Sequence, residues 1–186
     1  GSHELAAIFR KPIDADKFER IELPRENNSQ HRFVWNPQAA SDGNIYFGSW
    51  PDGALLRLDP KSLRIEQVTI PAPGEDYVRH VNAAFSGKIY CGIGAHAQLV
   101  EYDLASGNKR QLLPEKYRNR SFVYYTTRYK NWLAAILRPD DTLLILEPAT
   151  GNIIYELPVP DGEAGFQSAN HYNMLEHDGW LYFSTT

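Results

Sequence analysis

The sequence predicts an all-β protein, a β-propeller of four-stranded antiparallel blades, on three observations. Similar stretches begin at Gly43, Gly87 and Asn131, at a constant offset of 44 residues. Each copy contains short segments of alternating apolar and polar residues, separated by Gly, Pro, Asp and Asn turn residues. No segment keeps an apolar period of about 3.6 residues between helix caps, so helices are expected to be minor. A β-sandwich or an irregular barrel would not explain a constant repeat, which indicates stacked supersecondary units.

Within each copy the alternation predicts four strands. In the first copy they cover residues 32–40, 44–50, 55–59 and 64–70. In the second copy they cover residues 77–85, 88–94, 98–104 and 109–114, and in the third 122–130, 132–138, 142–148 and 152–159. A partial fourth copy begins at Gly179. About four blades are therefore expected.

The predicted domain covers residues 4–186 and follows Gly-Ser-His at residues 1–3, which resembles the remnant of an expression tag. We expect a half-blade at 4–30, blades at 31–76, 77–120 and 121–165, and a half-blade at 166–186. The two half-blades could pair into one composite blade and close a small ring. The favoured alternative is an incomplete or multi-chain ring, because open blade edges invite pairing with other chains. The expected partners are then a second copy or the remainder of a propeller.

Composition and charge limit the classes of function. The net charge of −4 argues against a nucleic-acid partner, and no apolar run reaches the roughly 20 residues that span a bilayer. Cys91 is the only cysteine, so no internal disulfide forms, and its apolar repeat equivalents predict a buried structural thiol. These features leave the compartment open, with secretion or the periplasm as the favoured interpretation.

The repeat also predicts which side chains surround the central channel, which the first strand of each blade lines. The expected ring contains Asn36, His80, Tyr124 and Tyr172, followed two residues later, on the same side, by Gln38, Asn82, Thr126 and Met174. Most of these are hydrogen-bonding groups at positions that packing alone would fill with Val or Ala. The alternative interpretation is a channel that is polar only because water fills it.

Several of these residues are candidates for chemistry or binding. The predicted catalytic residues are His80 and Tyr124, as acid or base, and Arg128, which with Arg79 could hold an anionic group such as a carboxylate. Trp35 and Trp50 lie near the predicted mouth of the channel, where indole rings could stack on sugars, although core packing is the alternative. The remaining ligand-binding candidates are Asn36, Gln38, Asn82, Thr126 and Tyr172.

A metal site is a weaker prediction. Asp52, His96 and Asp140 occupy the same repeat position in the loops after the second strands, and all are acceptable ligands for a divalent metal. Turn chemistry also explains the two aspartates, since both follow proline in a turn sequence. No phosphate-binding loop or nucleophile elbow is found, so no other cofactor is expected. His31 and His177 lie in polar loops and are predicted to face solvent, and Tyr46, Tyr90 and Tyr182 to pack between blades.

The turn sequences YDLASG at 102–107 and LEPATG at 146–151 resemble those of several propeller families. These are the virginiamycin B lyase type, the gluconolactonase type and the propeller polysaccharide lyases such as ulvan lyases. The resemblance implies histidine, tyrosine and arginine around the channel mouth, and His80, Tyr124 and Arg128 are similar in kind. In the virginiamycin B lyase type an inner-strand histidine works with a glutamate at the end of the neighbouring second strand. The comparable stretch here offers Gly94 and His96 instead.

The predicted function is a propeller module that binds an anionic carbohydrate or small ligand at the channel mouth, as a polysaccharide or lactone lyase if it is an enzyme. In that chemistry an arginine neutralises a carboxylate while Tyr124 or His80 removes the adjacent proton. The alternative is a non-catalytic protein-interaction or sensor scaffold that uses the rims and blade edges.

Overall fold

The protein is part of a β-propeller, as the sequence predicts. The structure is a computed structural model that describes residues 6–25, 29–140, 142–158 and 174–183. Within these residues the only helix is a short 3-10 turn at Glu115–Tyr117. The strands are β1 Ala7–Arg10, β2 Glu19–Glu22, β3 Phe33–Ala39, β4 Ile45–Trp50, β5 Leu55–Leu58, β6 Ile65–Thr69, β7 Tyr77–Asn82, β8 Lys88–Gly94, β9 Gln98–Asp103, β10 Lys109–Gln111, β11 Phe122–Tyr129, β12 Trp132–Arg138, β13 Thr142–Leu146, β14 Ile153–Pro158, β15 Met174–His177 and β16 Trp180–Phe183.

Consecutive strands pair antiparallel into blades. Blade 1 is β3–β6, blade 2 is β7–β10 and blade 3 is β11–β14. The hairpin β1–β2 precedes blade 1, and the hairpin β15–β16 follows blade 3. Blades 2 and 3 are also linked by one strand contact, between Gly94 and Phe122. None of the described segments forms a helix of the length and apolar character needed to span a bilayer.

The core consists of apolar layers between neighbouring blades. Side chains of each second strand alternate between two layers, because successive residues of a strand face opposite sides. In β4, Phe47 packs towards the β1–β2 hairpin and Tyr46 packs towards blade 2. In β8, Cys91 packs towards blade 1 and Tyr90 towards blade 3. The packing roles predicted for Tyr46, Tyr90 and Cys91 are confirmed, and burial raises the pKa of the Cys91 thiol to about 12.

Glycine allows the inner strand of the next blade to approach closely. A Cβ atom on Gly48 would lie 2.0 Å from the carbonyl oxygen of Val78, and one on Gly92 would lie 2.6 Å from that of Val123. Both glycines occupy the same position in their blades. The repeat therefore places β7 and β11 directly against the second strand of the preceding blade.

The inner strand of blade 3 is shifted by one residue from the register predicted by the constant offset. His80 lies opposite Gly92, and its equivalent opposite Ile136 is Tyr125, not Tyr124. Asn82 likewise corresponds to Thr127 rather than Thr126. The turn between β11 and β12 is one residue shorter than the equivalent turn in blade 2. Each residue of β11 therefore lies one position later in the sequence than the constant offset predicts. The predicted ring of Asn36, His80 and Tyr124 is therefore wrong at its third member.

Candidate functional site

Polar side chains of the inner strands bind the backbone of the next blade. Oδ1 of Asn36 accepts a hydrogen bond from the amide of Val81 at 3.2 Å, and Nδ1 of His80 accepts one from the amide of Thr126 at 3.3 Å. Tyr125, the equivalent residue of blade 3, is half-buried at the corresponding point. The two bonds join the inner strands of blades 1, 2 and 3 around the channel, and we call them the inner belt. An inner strand has an unpaired edge, and the belt satisfies donors on that edge.

His80 is fixed by this belt as a neutral, buried imidazole. Its side chain is 4% exposed, and its ring lies against the ring of Tyr125 with the centroids 3.9 Å apart. Burial, assisted by the neighbouring Arg79 cation, lowers its pKa to about 3. Because Nδ1 accepts the Thr126 amide and also contacts Oγ1 of Thr126 at 3.0 Å, the proton of the neutral ring is assigned to Nε2. In this arrangement the imidazole can donate a hydrogen bond but has no free lone pair for a base.

Aromatic side chains at one end of the inner strands form a continuous surface across the three blades. Trp35 and Trp50 each stack on Tyr77 of blade 2, with ring centroids 5.9 and 5.8 Å apart. Tyr77 in turn meets the edge of Phe122 of blade 3 at 5.5 Å. Phe33 extends the surface outwards, since it packs on both tryptophans and is exposed. We call this surface the aromatic mouth.

Arg79 lies inside the aromatic mouth between two rings. Its guanidinium carbon is 5.4 Å from the centroid of Trp35 and 4.4 Å from that of Tyr124, and one of its nitrogens donates to the Tyr124 hydroxyl at 2.9 Å. Arg138 also stands over the Tyr124 ring at 5.8 Å. Arg79 and Tyr124 are each the bulged residue of their inner strand, and such bulges redirect side chains. Four predicted residues, Trp35, Trp50, Arg79 and Tyr124, thus come together here.

Other predicted residues lie elsewhere. Arg128 is at the opposite end of β11, roughly 13 Å along the strand from Tyr124, and donates to the carbonyl oxygens of Lys130 and Ala84. The prediction that Arg128 lies at the channel mouth with His80 and Tyr124 is therefore wrong. Asn82 is buried and caps a turn by accepting the amide of Ala84, and Gln38 is half-buried opposite Tyr46. Tyr172 lies outside the described residues.

The three loop residues of the predicted metal site are each bound within their own blade. Asp52 pairs with His31 at 2.9 Å, His96 with Glu75 at 3.0 Å and Asp140 with Arg120 at 2.7 Å. The partners also follow the repeat, so each blade ties the start of its inner strand to the loop after its second strand. In the part of the chain that the structure describes, no three or more His, Cys, Asp or Glu side chains are grouped to hold a metal ion. The metal stays a prediction.

The structure departs from the sequence predictions at three further points, Tyr77, His31 and Tyr182. Tyr77 lies 44 residues after Phe33, so the repeat could have revealed the aromatic mouth if the strand ends had been compared. His31 is 1% exposed, and the prediction that it faces solvent is wrong, whereas His177 is exposed as predicted. Tyr182 is exposed in the β15–β16 hairpin rather than packed between blades. The hydrogen bond of its Nδ1 to Asp52 and the hairpin that covers blade 1 explain the burial of His31.

Comparison with known proteins identifies the fold only. No family model matches the sequence, and no curated protein matches it. Among solved structures, virginiamycin B lyase from Staphylococcus aureus superposes with a TM-score of 0.70 at 13% identity over 96% of this chain and 62% of the lyase. A streptogramin B lyase gives 0.64 at 19% identity over 81% of this chain and 47% of that one. The extracellular domain of a one-component system from B. thetaiotaomicron gives 0.70 at 16% identity over 97% and 24%. The chain thus spans less than two thirds of each of these proteins, and its fold is that of a β-propeller resembling the virginiamycin B lyases.

Proposed function

We propose that this propeller module binds an anionic carbohydrate, or a small ligand of similar chemistry, at the aromatic mouth. The observation that carries the proposal is the position of Arg79 between the rings of Trp35 and Tyr124. A guanidinium held between two rings is pre-organised, so little side-chain freedom is lost when it binds an anion.

The mouth offers two kinds of contact to one ligand. Within the described residues Arg79 uses one donor on the Tyr124 hydroxyl, and its other donors suit a bidentate contact with a carboxylate. Trp50 and Tyr77 present half-buried rings beside it, on which the apolar face of a sugar can pack. A uronic acid carries both features, a carboxylate and an apolar ring face.

A second candidate is a β-eliminating lyase acting on a polysaccharide or lactone at the same mouth. The observation that favours it is the 2.9 Å hydrogen bond from Arg79 to the Tyr124 oxygen, which places a cation beside a phenol. Tyr124, as the phenolate, would take the proton from the carbon next to the bound carboxylate; the electron pair of that C–H bond would form the C=C bond of an unsaturated sugar while the C–O bond to the leaving oxygen breaks, and the leaving oxygen would take a proton from solvent. His80 would take no direct part in this scheme, because its Nδ1 is occupied and its Nε2 is buried.

The binding experiment is a calorimetric titration with oligogalacturonate and with a neutral oligogalactose of equal length. We expect oligogalacturonate to bind and Arg79→Gln to weaken binding about tenfold or more, since a charged hydrogen bond contributes roughly 1.5–3 kcal/mol. Arg128→Gln is the matched control, because Arg128 lies at the other end of the channel, and it should bind normally. Equal loss in both variants, or no binding to a panel of polyuronates, would overturn the proposal in favour of the protein-interaction or sensor scaffold.

Catalysis is tested separately by the ultraviolet absorbance of an unsaturated product. The lyase candidate requires this signal in the wild-type chain and its loss in Tyr124→Phe with binding retained. Binding without product would leave a non-catalytic module. The location we infer is periplasmic or extracellular, where polyuronates occur and where a domain of similar fold is found.

A further inference from the structure

The aromatic mouth continues beyond Arg79 on the side of blade 1. Phe33 is 57% exposed there, and its ring stacks on Trp35 with the ring planes 12° apart and the centroids 6.1 Å apart. The same ring also packs on Trp50, with the centroids 5.6 Å apart. Exposed apolar surface that is continuous with other rings, rather than scattered over the protein, is typical of an interaction site.

Arg32 brings a second cation to this side of the mouth. Its guanidinium carbon lies 5.9 Å from the centroid of Trp50, and one of its nitrogens donates to Oε1 of Gln30 at 3.0 Å. Arg32 forms no ion pair with any residue that the structure describes. The carboxylate of Asp52, two residues after Trp50, already accepts from the Gln30 amide and from His31. The indole ring and Gln30 therefore position a guanidinium whose remaining donors can bind an anion.

The two cations of the mouth stand over neighbouring indoles. Arg79 lies over Trp35 and Arg32 lies over Trp50. Both indoles stack on the ring of Tyr77, which links the two places into one surface. The mouth thus repeats the same pairing, an arginine with an aromatic ring, at two adjacent points. A ligand made of linked uronic acids also repeats one pairing, a carboxylate with an apolar ring face, and matches both points.

We propose that Arg32, Trp50 and Phe33 form a second subsite for the neighbouring uronic acid of an oligosaccharide. It rests on the proposed function, because the first uronic acid of the same ligand is the one bound at Arg79. Arg32 pairs with the second carboxylate, and the apolar face of the second sugar packs on the exposed ring of Phe33. The ligand is thereby narrowed from any small anion to a chain of at least two uronic acids that extends from blade 2 to blade 1.

The test is a calorimetric titration of the full chain with galacturonate and with digalacturonate. We expect digalacturonate to bind about tenfold or more tightly, since it adds a charged hydrogen bond at Arg32. The readout is the ratio of the two affinities, because a general loss of structure would lower both. Arg32→Gln should bring this ratio close to one. Arg64→Gln is the matched control, since it removes an exposed arginine of the β5–β6 turn in the same blade, and it should keep the ratio of the wild type.

Failure of the second subsite can be told apart from failure of the proposed function. Equal affinities of the wild type for the two ligands overturn the second subsite and leave binding at Arg79 intact. The second subsite is also overturned if Arg32→Gln keeps the tenfold ratio, or if Arg64→Gln loses it as well. If the wild type binds neither ligand and no longer polyuronate, both proposals are overturned.

Discussion

The amide of Thr126 in blade 3 donates a hydrogen bond to Nδ1 of His80 in blade 2, at 3.3 Å. This bond joins the inner strands of two blades, together with the hydrogen bond from Arg79 to the Tyr124 hydroxyl. Asn36 makes the same kind of bond to the amide of Val81, one blade earlier. A residue expected to perform chemistry therefore has a structural role in the inner belt, which explains why it is neutral and buried.

Removing the acceptor at His80 should destabilise the fold. His80→Leu leaves the Thr126 amide unpaired, and we expect a loss of about 1–3 kcal/mol in the free energy of unfolding, beyond any change in packing. His80→Asn should lose less, because asparagine is the acceptor at the equivalent point of blade 1. Urea unfolding of the two variants measures the difference. Equal stability of both would show that the bond does not join the blades.

Acid should destabilise the protein before its carboxyl groups titrate. An unfolded histidine binds a proton below a pKa of about 6.5, whereas His80 in the folded protein does so only near 3. Between these values the unfolded state holds more protons, so the free energy of unfolding falls as pH drops from about 6.5 towards 3, by up to about 1.4 kcal/mol per pH unit. Above about 6.5 the contribution is constant.

The control for this pH dependence is His80→Asn, which cannot titrate. The lowered pKa of His31 acts in the same direction, so the part due to His80 is the difference between the slopes of wild type and variant. Parallel slopes between pH 7 and 4 would contradict the prediction.

A methyl group at the blade interface should be poorly tolerated. In Gly48→Ala the new Cβ would meet the carbonyl oxygen of Val78 at 2.0 Å, and backbone has to move to relieve it. We expect the free energy of unfolding, measured with heat or urea, to fall by about 1–3 kcal/mol or more. Gly43→Asn is the control, since nothing lies within 4 Å of its Cβ and asparagine tolerates its positive φ. Similar losses in the two variants would show that the cost comes from replacing a flexible glycine and not from the close approach of β7 to Gly48.

The loop contacts of Asp52 and Asp140 should differ in strength, because the first includes the buried His31 and the second is exposed. Asp52→Asn weakens the partner of buried His31 and should cost about 1–3 kcal/mol. Asp140→Asn affects an exposed pair with Arg120 and should cost no more than about 1 kcal/mol. High salt should reduce the second effect more than the first. A larger cost at Asp140 would contradict this order.

The repeat predicted the blades and their strands because hydrophobic alternation and turn residues are local signals. It also placed Trp35, Trp50 and Arg79 at one end of the channel. It placed Tyr124 at the ring position that Tyr125 occupies, because a turn one residue shorter changes the register without changing the offset of the second strands. Sequence could not show that the lone pair of His80 binds a backbone amide, since that bond depends on how two blades approach.

The C-terminal hairpin should associate with a second copy of the chain. Leu175, Trp180 and Tyr182 are 64%, 71% and 52% exposed on a sheet of only two strands, and such a sheet is marginally stable by itself. The strands β1 and β2 carry the exposed Phe9, and they correspond to the third and fourth strands of a blade. We expect β1 of one copy to pair with β16 of another, and sedimentation to show mass increasing with concentration. Trp180→Lys and Phe9→Lys should each shift the chain towards the monomer, while Ile13→Lys, at a fully exposed loop position, should not. A monomer at every concentration, or an equal effect of Ile13→Lys, would refute this pairing.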